Sequence, residues 1–568
     1  MGGQLGGWRQ VYELISSIEI LRRRGLIRPH RISTNARTLR LARKAGPFAA
    51  MIAETAHDAP ESPAIVGEHG TLSYGELERK GNALAHGLRA TGITSGDIAG
   101  FLCRDDCGMV LALVAAGKLG VRVVFLNTGF GAPQLQDVLQ REKVTALFLD
   151  SEFVPLTAGL PPRLPRILTT VDDTSLDATN DNAANDNSAG AGTSVDDRGD
   201  TGAGVLSSLD DLIAGRPTVA PPLPPRPGGM VLLTSGTTGK PRGAPRERIS
   251  PMQSAQILDR IPLSRGGTLI LGTPLFHGTG LGQFVVAMTL GKKVLLRRRF
   301  DPELTLAAIA RHRADTLIVV PTMLKRLLDL GSDAIAGHDT SSLRIIVSGG
   351  SALAPDLCRR SAAAFGDVLH NVYGSTEVAN TSVATPAELR QAPGTVGRPP
   401  VGCRLALYDD HRNPVTGPNR RGTIFASSGL SFAGYTDGSN KEVVAGMVST
   451  GDVGHFDENG LLFIDGRDDE MIVSGGENVF PVEVENLLIQ HAEVRDAAVV
   501  GVDDAEFGKR LRAFIVASSD VAPDPDAIKD YVRANLARYK VPRDVIFVDE
   551  LPRNAAGKLL RVELEGID

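Results

Sequence analysis

The alternation of apolar and polar positions changes character several times along the chain. Over Tyr74 to Thr91 apolar residues recur at helical spacing, and Ile98 to Cys103 is a short apolar run. Gly108 to Leu119 is helical again, and Val121 to Leu126 is another run. Strand-sized runs between helical stretches predict parallel strands joined by crossover helices. Thr268 to Leu271, Lys293 to Leu296, Thr316 to Val320 and Arg344 to Val347 continue the pattern, so the large region is expected to be doubly wound α/β. Beyond Arg467 the scale changes. Ala497 to Val502, Arg512 to Ala517 and Val545 to Val548 read as short strands around a helix from Pro525 to Ala537, a separate α+β lid domain at 467–568.

The first 54 residues follow another rule. Trp8, Val11, Tyr12, Leu14, Ile15, Ile18 and Leu21 recur at helical spacing, followed by Arg22, Arg23, Arg24, Arg28, Arg31, Arg37, Arg40, Arg43 and Lys44 with no intervening acid. Such a segment either packs on the protein body with its arginines in water or lays an apolar face on anionic lipid. Residues 173–204 are mostly Asp, Asn, Ser, Thr, Ala and Gly with too little apolar surface to offset ordering, which predicts a disordered insertion. Pro217 to Pro227 reads as a stiff connector.

Composition narrows the class. A chain of 568 residues exceeds a single core, and a net charge of −5 gives no reason to expect nucleic acid as a partner. The four cysteines, Cys103, Cys107, Cys358 and Cys403, are too few and scattered for a disulfide framework, which points to a reducing, cytoplasmic setting. Cys103 and Cys107 lack a second ligand cluster and read as buried thiols. No apolar run approaches the ~20 residues of a membrane span, and the N-terminus lacks a cleavable signal pattern, so a soluble or peripheral protein is expected.

Candidate chemistry begins with Leu232-Leu233-Thr234-Ser235-Gly236-Thr237-Thr238-Gly239-Lys240-Pro241-Arg242-Gly243. An apolar strand runs into glycines, hydroxyl donors and a lysine suited to phosphate oxygens. The kinase and GTPase P-loop is excluded: two residues separate Gly236 from Gly239, and Pro241 stands where that loop needs a hydroxyl for magnesium. Further along come Ser348-Gly349-Gly350-Ser351-Ala352-Leu353, Tyr373-Gly374-Ser375-Thr376-Glu377, Ser449-Thr450-Gly451-Asp452, Gly466-Arg467-Asp468-Asp469, Ser474-Gly475-Gly476-Glu477-Asn478 and Gly557-Lys558. Taken alone, Tyr373 to Glu377 could equally be a helix N-cap.

In this order the motifs resemble the adenylate-forming superfamily of acyl-CoA synthetases, firefly luciferase and peptide-synthetase adenylation domains, from about residue 55 to the end. Within it, the overall pattern, including the basic N-terminal extension before the adenylation core, looks like that of actinobacterial fatty-acid-CoA ligases. The resemblance implies an adenylation domain at 55–466, activation of a carboxylic acid by ATP with Mg²⁺, and transfer of the acyl group to CoA. It implies that Thr234, Ser235, Gly236, Thr237, Thr238, Gly239 and Lys240 hold the ATP phosphates, and that Gly350, Ser351 and Ala352 wall the adenine pocket opposite Tyr373, Gly374 and Ser375. Thr376 would meet the α-phosphate, Glu377 the magnesium, Asp452 the ribose hydroxyls and Arg467 the ribose or phosphate. Lys558 would be the catalytic lysine bridging carboxylate and α-phosphate. Asp469 would be a hinge about which the lid turns to bring Ser474, Gly475 and Gly476 to the thiol.

Pro274-Leu275-Phe276-His277-Gly278-Thr279-Gly280-Leu281-Gly282 resembles the segment at the acyl pocket, with His277 as gate or positioning residue. The glycines followed by Phe284, Val285 and Val286 suggest an apolar channel, hence a medium- or long-chain fatty or other bulky hydrophobic acid. No Arg or Lys in this segment advertises a second carboxylate in the substrate. Loading of a carrier protein, and aryl or sterol-side-chain acids with CoA, remain alternatives. A lipid-binding scaffold would be expected to lose Lys558, Glu377 or Asp452, and all three are present.

Overall fold

The computed structural model describes residues 2–27, 32–170, 206–235, 241–246, 251–474, 477–504, 508–519, 521–554, 557–565 and 567; the insertion expected at 173–204 lies outside the described residues. Two large sheets dominate. One has seven strands in the order Leu206–Ser208, Arg166–Thr170, Ala146–Asp150, Ile98–Leu102, Arg122–Phe125, Met230–Ser235 and Pro241–Arg246, all parallel except the last. The other has eight, in the order Ala379–Ala384, Leu369–Ser375, Ile345–Gly349, Thr316–Val319, Thr268–Leu271, Lys293–Leu296, Pro63–Gly67 and Gly70–Ser73, with antiparallel strands only at its two edges.

Helices Tyr74–Ala90, Cys107–Leu119 and Gly278–Thr289 contribute to the apolar core shared by these sheets, where Phe101 stacks on Phe148 at 4.8 Å between ring centroids. Local sequence sets their ends. Ser73 accepts the backbone N–H of Glu76 while Glu76 reaches back to the N–H of Ser73, a reciprocal cap on the first helix. Asp106 caps the second, which ends at Gly120 in the left-handed region.

Two smaller sheets follow. Arg404–Tyr408, Gly422–Ser427, Val443–Val444, Met447–Phe456 and Leu462–Arg467 form an antiparallel sheet that the apolar pattern did not announce, because its strands alternate polar and apolar residues less regularly. The last sheet contains Ile472–Ser474, Glu477–Val479, Val494–Asp504, Gly508–Ala517 and Asp544–Phe547. Its helices Pro481–Leu488 and Pro525–Asn535 close an apolar core of their own around Val499, Ile515 and Ile528. Its two longest strands, Val494–Asp504 and Gly508–Ala517, run to 11 and 10 residues, longer than the short strands expected.

The N-terminal helix Gly2–Arg23 buries Ser17 and Leu21 on one face and packs beside the helix Pro251–Arg260. Among the described residues no helix is long and apolar enough to cross a membrane.

Candidate active site

Strand ends of the eight-stranded sheet and the edge hairpin of the seven-stranded one open onto a cavity of about 790 Å³, which the last sheet closes from above. Thr234 lines it, and Ser235 ends its strand in register with Pro241. Gly236, Thr237, Thr238, Gly239 and Lys240 lie outside the described residues.

Gly350, Ser351 and Ala352, after the strand Ile345–Gly349, line the cavity, as do Tyr373, Gly374, Ser375, Thr376 and Glu377. The helix N-cap reading of this last segment is overturned: Leu369–Ser375 is a strand, and residues 376–378 form the turn into Ala379–Ala384. Gly374 is needed there because a Cβ would sit 1.9 Å from the carbonyl oxygen of Ala379, which the partner strand presses against it.

Strand pairing brings the polar groups together. Asp452 stands in register with Arg467, whose Nη1 lies 3.5 Å from Asp452 Oδ1. Tyr373 donates its hydroxyl to Asp452 Oδ2 at 2.6 Å. Arg467 also donates Nε and Nη2 to the two oxygens of Asp469 at 2.8 and 3.2 Å. Burial raises the Asp452 carboxyl above its usual range, against the pull of Tyr373, Arg467, Lys558 and Lys441. Burial and the Asp452 carboxylate push the Tyr373 phenol up.

Glu377 is buried in the turn. Its Oε1 accepts the hydroxyl of Tyr435 at 2.5 Å and its backbone N–H donates to Ser375 Oγ at 3.2 Å. Burial alone would raise this carboxyl, but the Tyr435 and Ser375 hydroxyls and a backbone N–H outweigh it and hold it below the usual carboxylate range. Among the described residues no group of three or more His, Cys, Asp or Glu could hold a metal ion. A single ionised carboxylate with one oxygen to spare still suits magnesium, which takes few protein ligands and completes its shell with phosphate oxygens and water.

Lys558 reaches the cavity from the C-terminal region and lines it with Asp452 and Arg467. Its backbone N–H donates to Asn554 Oδ1 at 2.9 Å, and the preceding Gly557 has φ 75°. A Cβ at Gly557 would lie 2.2 Å from Thr322 Oγ1, so the lysine approaches the larger region only because no side chain precedes it. Ser474 is buried on the strand Ile472–Ser474 and does not line this cavity; Gly475 and Gly476 lie outside the described residues.

The opposite end is apolar, walled by Met230, Leu232, Ile257, Leu281, Val285 and Val286. His277 precedes the helix Gly278–Thr289 and lines this end, with its ring 4.5 Å from that of Phe276. Burial pushes its imidazole down to about 4. Gly282 leaves open space where a side chain would stand. The loop before His277 is held by Asp105, both of whose oxygens accept the Leu275 N–H at 3.1 Å. Burial raises this carboxyl to about 7.

Sequence reasoning missed Tyr435, Asp105 and Arg246. Arg246 ends the edge strand and donates Nη2 to the Thr376 carbonyl. Burial lowers it to about 10 against the opposing charge of Glu377. Its period-two relation to Arg242, which lies over the Tyr435 ring at 5.6 Å, was the available signal that both arginines face the Glu377 turn.

Residues 52–436 match the family described as AMP-binding enzyme, and residues 483–558 match the AMP-binding enzyme C-terminal domain. The chain is 30% identical over 517 residues to the fatty acid–[acyl-carrier-protein] ligase ScoC of Streptomyces coeruleorubidus, covering 89% of this chain and 93% of that one. It is 32% identical over 518 residues to the 3-[(3aS,4S,7aS)-7a-methyl-1,5-dioxo-octahydro-1H-inden-4-yl]propanoyl:CoA ligase of Mycobacterium tuberculosis, covering 89% and 96%. Its fold matches the o-succinylbenzoate CoA synthetase MenE from Bacillus subtilis in complex with the acyl-adenylate intermediate OSB-AMP, with TM-score 0.75, 25% identity and coverage of 91% and 98%.

Proposed function

The chain belongs to the AMP-binding enzyme family as an adenylate-forming acid–CoA ligase that uses ATP, Mg²⁺ and CoA, and from that premise we propose that its acid is hydrophobic. The supporting observation is a single cavity whose polar end holds Tyr373, Glu377, Asp452, Arg467 and Lys558 and whose other end is walled by aliphatic side chains. The relatives' names span fatty, indoleacetic, succinylbenzoic, ferulic and fused-ring propanoic acids, so membership alone does not choose the acid.

In this reading Thr234 to Lys240 hold the β- and γ-phosphates, and Gly350 to Ala352 face Tyr373 across the adenine. The Asp452 oxygens keep lone pairs for the ribose hydroxyls beyond those used by Tyr373 and Arg467. Glu377 would hold magnesium, which when bound would supply positive charge against the departing pyrophosphate. Thr376 donates to the α-phosphate. Lys558 places its ammonium between the attacking carboxylate and the α-phosphate, stabilising charge that peaks in the transition state. His277, neutral at physiological pH, orients the carboxylate without adding charge. Rotation about Asp469 then withdraws Lys558 and carries Ser474, Gly475 and Gly476 to the thiol.

The test is to incubate the protein with ATP, Mg²⁺ and a panel of acids, with and without CoA, and to resolve acyl-AMP from acyl-CoA by mass spectrometry. Acyl-CoA with AMP release is expected for aliphatic members. Acyl-AMP that persists despite CoA would move the reading to carrier loading, and no product from any hydrophobic acid would sink it.

A second contact is carried by the N-terminal helix. Its outer face exposes Val11, Tyr12, Leu14, Ile15 and Ile18, from 42% for Ile18 to 70% for Tyr12, on a helix that ends in Arg22 and Arg23. An apolar stripe bordered by arginines suits an anionic lipid surface at the inner face of the membrane. Vesicles containing phosphatidylglycerol should sediment the protein and phosphatidylcholine vesicles should not; equal sedimentation of an Ile15→Ser/Ile18→Ser variant would refute the contact.

A further inference from the structure

Lys441 lines the cavity as Lys558 does, but it belongs to the larger region and not to the lid. The hairpin that carries it sets its direction. Val443 pairs with Val448, and the Ser449 N–H donates to the Glu442 carbonyl at 2.9 Å, so the pairing runs on past the strand Val443–Val444 toward Thr450 and Gly451. Glu442 points outward, accepting Nε and Nη2 of Arg412 at 2.7 and 2.8 Å. The alternation of an extended chain sends its neighbour Lys441 to the opposite face, which lines the cavity.

Two cations converge over Gly451, whose φ is 80°: a Cβ there would stand 3.2 Å from Arg467 Nη2 and 3.7 Å from Lys441 Nζ. They are matched differently. Arg467 is paired with Asp452 and Asp469, whereas the half-buried Lys441 makes no ion pair or side-chain hydrogen bond among the described residues. Against burial, which raises both carboxyls, the charge of Lys441 is among those that pull Glu377 and Asp452 down. Like charges brought over one glycine repel unless an anion comes between them, and Lys441 faces the cavity through which an anion would enter.

With the ribose at Asp452 and magnesium at Glu377, the group of ATP that joins the two positions is the α-phosphate. We propose, resting on the acid–CoA ligase reading, that Lys441 Nζ is a further nucleotide-binding group and contacts the α-phosphate oxygens. Its place in the chain gives it a role that Lys558 does not share. Lys558 leaves with the lid when the lid turns, while Lys441 stays with the larger region. Lys441 therefore holds the same phosphate in ATP and in acyl-AMP, and keeps the adenylate seated while the thiol approaches.

The test measures binding of adenosine, AMP and ATP with Mg²⁺ to the full chain by calorimetry, for the wild type, Lys441→Met and Lys441→Arg. Lys441→Met should weaken AMP by about tenfold or more, the worth of a charge-assisted contact, and leave adenosine unchanged. Lys441→Arg should keep most of the AMP affinity. In thioester formation from supplied acyl-adenylate, Lys441→Met should raise KM for the adenylate by a similar factor. Equal weakening of adenosine and AMP would mark Lys441 as a support of its hairpin and overturn the inference. Unchanged AMP beside weakened ATP would overturn it too, by moving Lys441 to the departing phosphates, as would an unchanged KM for the adenylate. In each of these outcomes acids that are still converted to acyl-CoA leave the ligase reading intact, whereas a wild-type chain that binds neither AMP nor ATP removes that reading and this inference together.

Discussion

The two ends of the cavity differ in how their polar groups are satisfied. At the nucleotide end Tyr373, Asp452, Arg467 and Asp469 hold one another in a chain of hydrogen bonds and ion pairs, and Tyr435 holds Glu377. At the apolar end Thr273 and His277 each hold a buried atom with no partner among the described residues. The first arrangement is set before any ligand arrives and serves every acid alike. On the proposed reading, discrimination between acids falls to the second end, whose wall is aliphatic.

Substitutions sharpen this contrast. Lys558→Ala should have the largest effect, lowering acyl-adenylate formation by about 10²–10³-fold for every acid while thioester formation from supplied acyl-adenylate falls far less. Single-turnover measurement of the two half-reactions decides it, and equal losses would remove Lys558 from the adenylation step.

Next comes the protonation cost of His277. Its imidazole is held at about 4 by burial, from an ordinary 6.5, so the unfolded chain binds more protons between these values. Stability from this group is present above pH 6.5 and is lost as pH falls toward 4. At 1.36 kcal/mol per pH unit the loss at pH 5 is about 2 kcal/mol. Denaturant unfolding at pH 7 and pH 5 should show a smaller pH effect for His277→Gln than for the wild type. His370, also buried and lowered to about 4, keeps its share in both proteins. An unchanged pH difference would mean that His277 is reached by water.

The smallest effect belongs to Tyr435→Phe. Loss of its hydrogen bond should let the Glu377 carboxyl drift and raise the magnesium requirement, slowing adenylation about tenfold. Because this end is common to all substrates, the slowing should be the same across acids; an effect confined to one acid would break the division between the two ends.

Several strands were legible to the residue. Thr268–Leu271 and Lys293–Leu296 are buried on both faces of a parallel sheet, so burial shows as an uninterrupted apolar run. Tyr373 to Glu377 was recognised by motif, although its local preference for a cap pointed to a helix where pairing with Ala379–Ala384 makes a hairpin. The period-two signal from Arg242 to Arg246 was masked because Pro241, Gly243 and Pro245 obscure their strand, and the partner of Arg246, Thr376, lies 130 residues away.

By itself the sequence determined the class of chemistry and the doubly wound scaffold. Phosphate contact needs particular residue types at close spacing, and buried strands need contiguous apolar side chains, and both are local properties. Only the tertiary structure decided which polar atoms find partners. Asp452 is satisfied by Tyr373, 79 residues away, whereas Arg246 Nη1 is buried with none among the described residues, and that difference arises from the apposition of distant strands.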